Sequence, residues 1–241
     1  TNCNINQVTA NSDSHGIYIN SPDCTIINNN ITTIGQWSDA IALIAGADNT
    51  LISGNILDGT ASGFNGILLD IQSDSNTILN NNITFSSLMQ TIILELGADN
   101  NQIINNSILF YGLSTTSSSI YISASNNNNL TGNTILNNRS SGGNGISLAS
   151  SSGNRFYNNF INATYPVDGA SSSYANYWNT TKQSATNIMG GPYIGGNYYA
   201  DRLGTGYSQA CTDADHDGIC DSSNSFSVNN MFFSFNCICL S

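Results

Sequence analysis

The stretch Thr77-Ile78-Leu79-Asn80-Asn81-Asn82-Ile83 decides the fold, because the chain keeps rewriting it. Variants begin at Thr25, Thr50, Gln102, Asn129 and Arg155, and each closes on an isoleucine. Those isoleucines stand at 31, 56, 83, 108, 135 and 161, in steps of 25, 27, 25, 27 and 26 residues. A fixed period in that range means stacked supersecondary units. A second apolar stripe keeps the same period, with short β-branched runs at Ile17, Ile41, Ile67, Ile92, Ile120 and Ile146. Each run is too brief for a helix and is bounded by Gly, Ser, Asp, Asn or Thr. Two or three short strands per turn predict an all-β chain wound as a right-handed parallel β-helix, a solenoid. One coil cannot bury its apolar face alone, so stacking the coils makes one long core. Asparagines at matching turns accept left-handed backbone and can bond the asparagine of the next coil, which predicts ladders.

The composition narrows the function. The 241 residues carry a formal charge of −11 with only four Lys+Arg (Arg139, Arg155, Lys182 and Arg202), so little here can neutralise a row of phosphates. No apolar run is long enough to span a bilayer. The first residue, Thr1, stands inside what reads as a coil, which suggests a mature, processed form. Six cysteines beside one lysine fit an oxidising, extracellular or cell-surface setting. Cys211 and Cys220 bracket one loop and are the expected pair, with Cys3 and Cys24 as a second. Sequons at Asn30, Asn82, Asn105, Asn129, Asn138, Asn162 and Asn179 are compatible with a glycoprotein.

Two regions emerge: coils over 1–181, then a Gly- and aromatic-rich cap with an apolar tail over 182–241. Within the cap lies the most specific metal motif, Asp213-Ala214-Asp215-His216-Asp217-Gly218-Ile219-Cys220-Asp221. Carboxylates at alternate positions before a turn glycine are the pattern of a loop that wraps Ca²⁺. Asp213, Asp215, Asp217, the Ile219 carbonyl and Asp221 are the expected ligands, while Asn224 stands where such loops usually end in a bidentate Glu.

With these motifs in place, the coils and the run from Gly190 to Asp221 resemble archaeal cell-surface parallel β-helix repeat proteins. These belong to the copper-binding-type, carbohydrate-associated β-helix family. The resemblance implies a surface β-helix and reaches about Ser222; the tail beyond it departs from the family's ending. The copper function named for part of that family finds no motif, since His15 and His216 are far apart and Met89, Met189 and Met231 form no cluster.

Asp70 and Glu95 are the candidate catalytic residues, because they hold the same place in successive coils. Adjacent carboxylates can divide into an acid and a base, as a polysaccharide lyase or glycoside hydrolase requires, or hold a cation. No nearby Lys or Arg supplies a lyase base, so a solvated or cation-bridged pair is the preferred reading. The aromatics Trp37, Phe64, Tyr111, Tyr121 and Trp178 are candidates for stacking on sugars, although for Tyr121 and Trp178 ordinary packing or cap burial is the preferred reading. An uncharged opening coil exposes strand edges that a neighbour would cover, and Met231, Phe232, Phe233, Cys237 and Cys239 in the tail are candidate assembly residues. The sequence reading is therefore a calcium-stabilised structural protein that forms a head-to-tail homopolymer without an enzymatic role. A carbohydrate-binding or carbohydrate-cleaving surface protein, with surface glycans as partners, is the alternative.

Overall fold

The computed structural model describes residues 4–7, 14–34, 38–59, 65–86, 89–112, 117–139, 142–169, 175–222, 224–228, 231–235 and 237–239; for 4–7, 224–228 and 231–235 only the backbone is described. The chain is a parallel β-helix. Among the described residues three parallel sheets of eight, seven and six strands run along it. Each repeat motif supplies two strands separated by a turn, as Thr77–Leu79 and Asn82–Phe85 show. The second stripe supplies the third strand, as in Ile67–Leu69 and Ile92–Leu94.

Register follows from the side chain that must point inward. Ile26, Ile52, Ile78, Ile103, Leu130 and Phe156 pair coil upon coil, and all are buried. Each contributes about 1.5–3 kcal/mol through burial. A one-residue slip would turn the whole set to solvent, so the register is strongly specified. Where a column widens, its neighbour shrinks: Gly59 pairs with Phe85, whose ring occupies the space a Cβ would need.

The turn between the paired strands divides its work between two residues. The first takes the left-handed conformation: Asn28 (φ 54°), Gly54 (65°), Asn80 (54°), Asn105 (54°), Gly132 (70°) and Asn158 (56°). Only glycine or a short polar side chain visits that region cheaply. The second residue turns its amide into the core and builds the ladder. Asn29, Asn55, Asn81, Asn106, Asn133 and Asn159 each donate Nδ2 to the Oδ1 of the next, ending at Asn197, at 2.9–3.0 Å. From Asn55 onward, each also donates to a carbonyl of the preceding coil, as Asn106 does to Ile78. A second ladder borders the other end of the same sheet, where Asn76, Asn101, Asn128, Asn154 and Asn176 accept amides of the coil before.

The ladder continues to Asn197, and Tyr198–Ala200 pairs with Phe160–Asn162, so the cap extends the eight-stranded sheet. Tyr199 is fully buried, and Trp178 stacks on Phe156 with ring centroids 4.2 Å apart and planes 13° from parallel. Both rings belong to the main apolar core. The cap also holds a one-turn helix, Tyr207–Ala210, tied down where Ser208 Oγ accepts the Tyr199 amide.

Candidate functional site

The seven-stranded sheet carries the carboxylates. Leu69 and Leu94 are paired residues, so Asp70 and Glu95, one position on, stand one above the other. Their amides donate to Leu43 and Leu69 carbonyls, at 2.9 and 3.0 Å, which fixes both to consecutive coils. The strand spacing therefore separates their backbones by about 4.8 Å. Ile44 and Ser123 occupy the flanking coils, so the acidic pair is bounded by residues without charge.

Burial raises the Glu95 carboxyl above its ordinary range, and the charges of Asp70 and Asp39 push it further. Asp70 is raised as well, by burial first and by Asp39; the Ile71 amide, 2.7 Å from Asp70 Oδ1, opposes this by bonding its ionised form. The two are thus unequal: Asp70 has a donor for its charge, whereas Glu95 faces two like charges.

Sequence reasoning missed two partners. Asp39 is buried, and its Oδ1 accepts both the backbone amide and the Nδ2 of Asn65 at 3.0 Å. His15 Nδ1 lies 3.2 Å from Asp39 Oδ2 and 3.3 Å from the Asp39 amide. A neutral Nδ1 can accept the amide, and a protonated one donates to the carboxylate. The imidazole also stacks on Tyr18, with centroids 5.6 Å apart. Along the same edge, the buried Gln90 Oε1, Thr91 Oγ1, Ser118 Oγ and Ser119 Oγ have no hydrogen-bond partner among the described residues. Buried polar atoms of this kind are uncommon and mark strain or a missing ligand or water.

In the acidic loop, Asp213, Asp215 and Asp221 bring carboxylate oxygens within 4.8 Å of one another. Asp217 is drawn elsewhere: it forms an ion pair with Lys182 and accepts the Ile219 amide at 2.7 Å. Ile219 sits in a backbone bridge to Ile238, and its side chain packs in the cap. The loop turns through left-handed backbone at His216 and Gly218. So three of the five expected ligands converge as side chains, and Asp217 does not join them.

Cys211 and Cys220 are disulfide-bonded. Cys24 has a thiol directed at the Ser21 and Pro22 carbonyls, while Cys3, its expected partner, lies outside the described residues. The tail is engaged within its own chain. Met231–Phe235 pairs antiparallel with Asn224–Val228, Cys237 bridges to Asn197, and Cys239 lies buried beside Cys211. Of the aromatic candidates, Trp37 and Phe64 lie outside the described residues, Trp178 is buried in the cap, and Tyr121 is half-buried. Tyr111 is exposed; so is Tyr177, beside an open cleft of about 470 Å³ lined also by Arg155, Asn179, Thr180 and Thr181.

Fold and site together define a repeat-built parallel β-helix with stacked carboxylates on one sheet. The chain belongs to the NosD family, described as periplasmic copper-binding protein, whose profile matches residues 1–204. No curated protein sequence matches it. Among solved structures it is similar to a mutant of the periplasmic alginate epimerase AlgG, at 18% identity and a TM-score of 0.51, covering 78% of this chain and 43% of that one. Unmutated AlgG gives 17% identity and a TM-score of 0.49, over 78% and 42% of the two chains. A putative glycosyl hydrolase from Parabacteroides merdae gives 11% identity and a TM-score of 0.25, over 62% and 80%. The chain thus spans less than half the length of AlgG, and the likeness establishes the fold alone.

Copper takes imidazole, thiolate or thioether ligands. Among the described residues, groups of three or more His, Cys, Asp or Glu able to share an ion occur only at 211–239, beyond the family match. Within 1–204 the described residues gather no such set.

Proposed function

We propose that this chain is an extracytoplasmic β-helix that binds and cleaves a carbohydrate polymer along its seven-stranded sheet. The observation that carries this reading is the Asp70–Glu95 pair, held on consecutive coils with both carboxyls raised above their ordinary range. Glycosidic cleavage needs one protonated and one ionised carboxyl side by side. Glu95, facing two like charges, is the proton donor, and Asp70, with its charge bonded by the Ile71 amide, is the carboxylate. The family's periplasmic description and the Cys211–Cys220 disulfide support a location outside the cytoplasm.

The test is a panel of neutral and uronic oligosaccharides, with binding followed by calorimetry and products by mass spectrometry. Turnover by the wild-type chain that falls at least about a hundredfold in Glu95→Gln and Asp70→Asn establishes the reading. If the wild type neither binds nor cleaves, or both variants match it, the reading fails.

The same proposal gives Asp213, Asp215 and Asp221 the role of holding Ca²⁺ as a brace for the cap, in keeping with the oxygen-only donor set. Calcium at about a hundredfold excess over its dissociation constant should stabilise the fold by roughly 2.7 kcal/mol. Equal melting temperatures in calcium and in EDTA would remove this part. The head-to-tail polymer draws no support from the tail, whose strand and cysteines are engaged within the chain.

A further inference from the structure

The six-stranded sheet ends in a cation that its surroundings do not neutralise. Arg155–Tyr157 is the last strand of that sheet, and Phe156 is buried in the core, so alternation turns Arg155 and Tyr157 outward. Tyr177 continues the column: it bridges to Arg155 in parallel register, its amide donates to Asn154, and its carbonyl accepts the Phe156 amide. The next residue, Trp178, is buried against Phe156, which leaves Tyr177 half exposed. The Arg155 guanidinium stands 5.6 Å from the centroid of the Tyr177 ring. A ring beside a guanidinium orients its plane without using its donors.

Other cations of the chain are engaged. Lys182 pairs with Asp217, and Arg202 donates to the Asn138 carbonyl and side chain. Arg155 is exposed, and among the described residues no carboxylate pairs with it. Clefts flank it on both sides. Toward the cap lies the one of about 470 Å³, which Tyr177 lines with Asn179, Thr180 and Thr181. Toward the preceding coil lies one of about 300 Å³, over Asn129, Gly153 and Tyr157. Asn129 pairs with Arg155 across the coils, and its Oδ1 is buried without a donor among the described residues.

Apart from Arg155, these linings hold amides, hydroxyls, tyrosine rings and a glycine. Amides and hydroxyls suit a polyhydroxylated ligand, and a tyrosine ring suits the apolar face of a pyranose. One guanidinium suits one anionic group, whose oxygens it grips in pairs. A single such cation on a chain of net charge −11 is no match for a polyphosphate. We propose that Arg155, with Tyr157 and Tyr177, binds an acidic glycan, bearing a uronate or a sulfate ester, across the last coils of the six-stranded sheet.

The anion pairs with the guanidinium, and the sugars on either side of it occupy the two clefts. Successive coils are about 4.8 Å apart, so a polymer lying along the axis crosses from one cleft to the other over Arg155. This surface is separate from the seven-stranded sheet, whose Asp70 and Glu95 repel such an anion. The proposal does not rest on cleavage at those carboxylates.

The experiment uses the full chain, produced in a host without N-glycosylation so that the Asn179 sequon stays bare. It is titrated by calorimetry with hexamers of galacturonate, of sulfated galactose and of galactose. At least one acidic hexamer should bind about tenfold or more tighter than the neutral one, and the tighter of the two names the anion. Arg155→Gln should abolish that preference, and Arg155→Lys should regain only part of it, because an ammonium lacks the fork and the ring stacking. Tyr177→Ala should weaken the acidic hexamer as well. Arg202→Gln removes the same charge elsewhere and should change nothing; Glu95→Gln should keep the affinity whatever it does to cleavage. Circular dichroism checks that each variant folds. No binding by the wild type, equal binding of acidic and neutral hexamers, an Arg155→Gln variant equal to wild type, or an equal loss in Arg202→Gln would each overturn the assignment.

Discussion

The asparagine turn and the carboxylate face are built by the same stacking rule, with opposite results. A coil repeating every 25 to 27 residues puts like side chains above one another. Stacked amides suit this, because each is both donor and acceptor, and the column from Asn29 to Asn197 bonds itself without interruption. Stacked carboxylates do not, because an ionised carboxylate only accepts. Asp48, Asp74 and Asp99 escape the problem by borrowing backbone donors: Asp48 accepts the amide of Asp74, Asp74 that of Asp99, and Asp99 that of Asn126. Among the described residues Glu95 shows no such donor, and after burial the charges of Asp70 and Asp39 push its carboxyl further up. A repeat fold therefore stabilises itself where the repeated group is self-complementary, and leaves need for a proton, cation or ligand where it is not.

The sharpest way to break this contrast is Asn106→Ala. It removes the acceptor of the Asn81 amide and Nδ2, and the donor to Ile78 and Asn133. Stranding those buried groups should cost about 3–5 kcal/mol, read as a loss in urea midpoint. A cost below about 1 kcal/mol would mean that the ladder is decoration. The left-handed position should be more tolerant. Asn80→Ala should cost about 1 kcal/mol, while Asn80→Gly should be near neutral; equal costs would remove the conformational argument.

The carboxylate face should respond with the opposite sign. Because both folded pKa values are raised, the folded state holds these protons more tightly than the unfolded one. This pair's contribution is therefore most favourable at acid pH, and declines as pH rises from the ordinary carboxylate values through the raised ones. Asp70→Asn with Glu95→Gln should raise the melting temperature at pH 7 by about 1 °C, because partial exposure screens the effect. The gain should vanish at pH 3.5. A double variant less stable than wild type at neutral pH would mean that the pair is structural.

The repeating part of the molecule was legible because its physics is periodic. Thr77 to Ile83 announces strand, turn and strand, and the matching Asp70 and Glu95 follow from counting residues. Contacts that break the period were not legible. Lys182 reaches Asp217 across the cap and takes it from the acidic loop, and no local pattern encodes that reach. His15 and Asp39 meet because adjacent coils place them together, although neither belongs to a repeated motif. Trp178 and Tyr177 are neighbours in sequence, yet the tryptophan seals the core and the tyrosine faces solvent. The tryptophan stacks on Phe156, as its expected burial implies, and the tyrosine ring lies under Arg155.

The amide column also has a direction and a last member. Every Nδ2 along it reaches toward the next coil, until Asn197 turns its own to the Phe156 and Trp178 carbonyls and the Tyr199 hydroxyl. With those bonds made, nothing is offered to a further coil. A whole coil removed from the middle would bring Asn55 to face Asn106, and the join would be chemically the same as the one it replaced. The length of such a molecule is therefore an adjustable quantity, set by where a terminating asparagine is placed, much as a ruler is set by where it is cut.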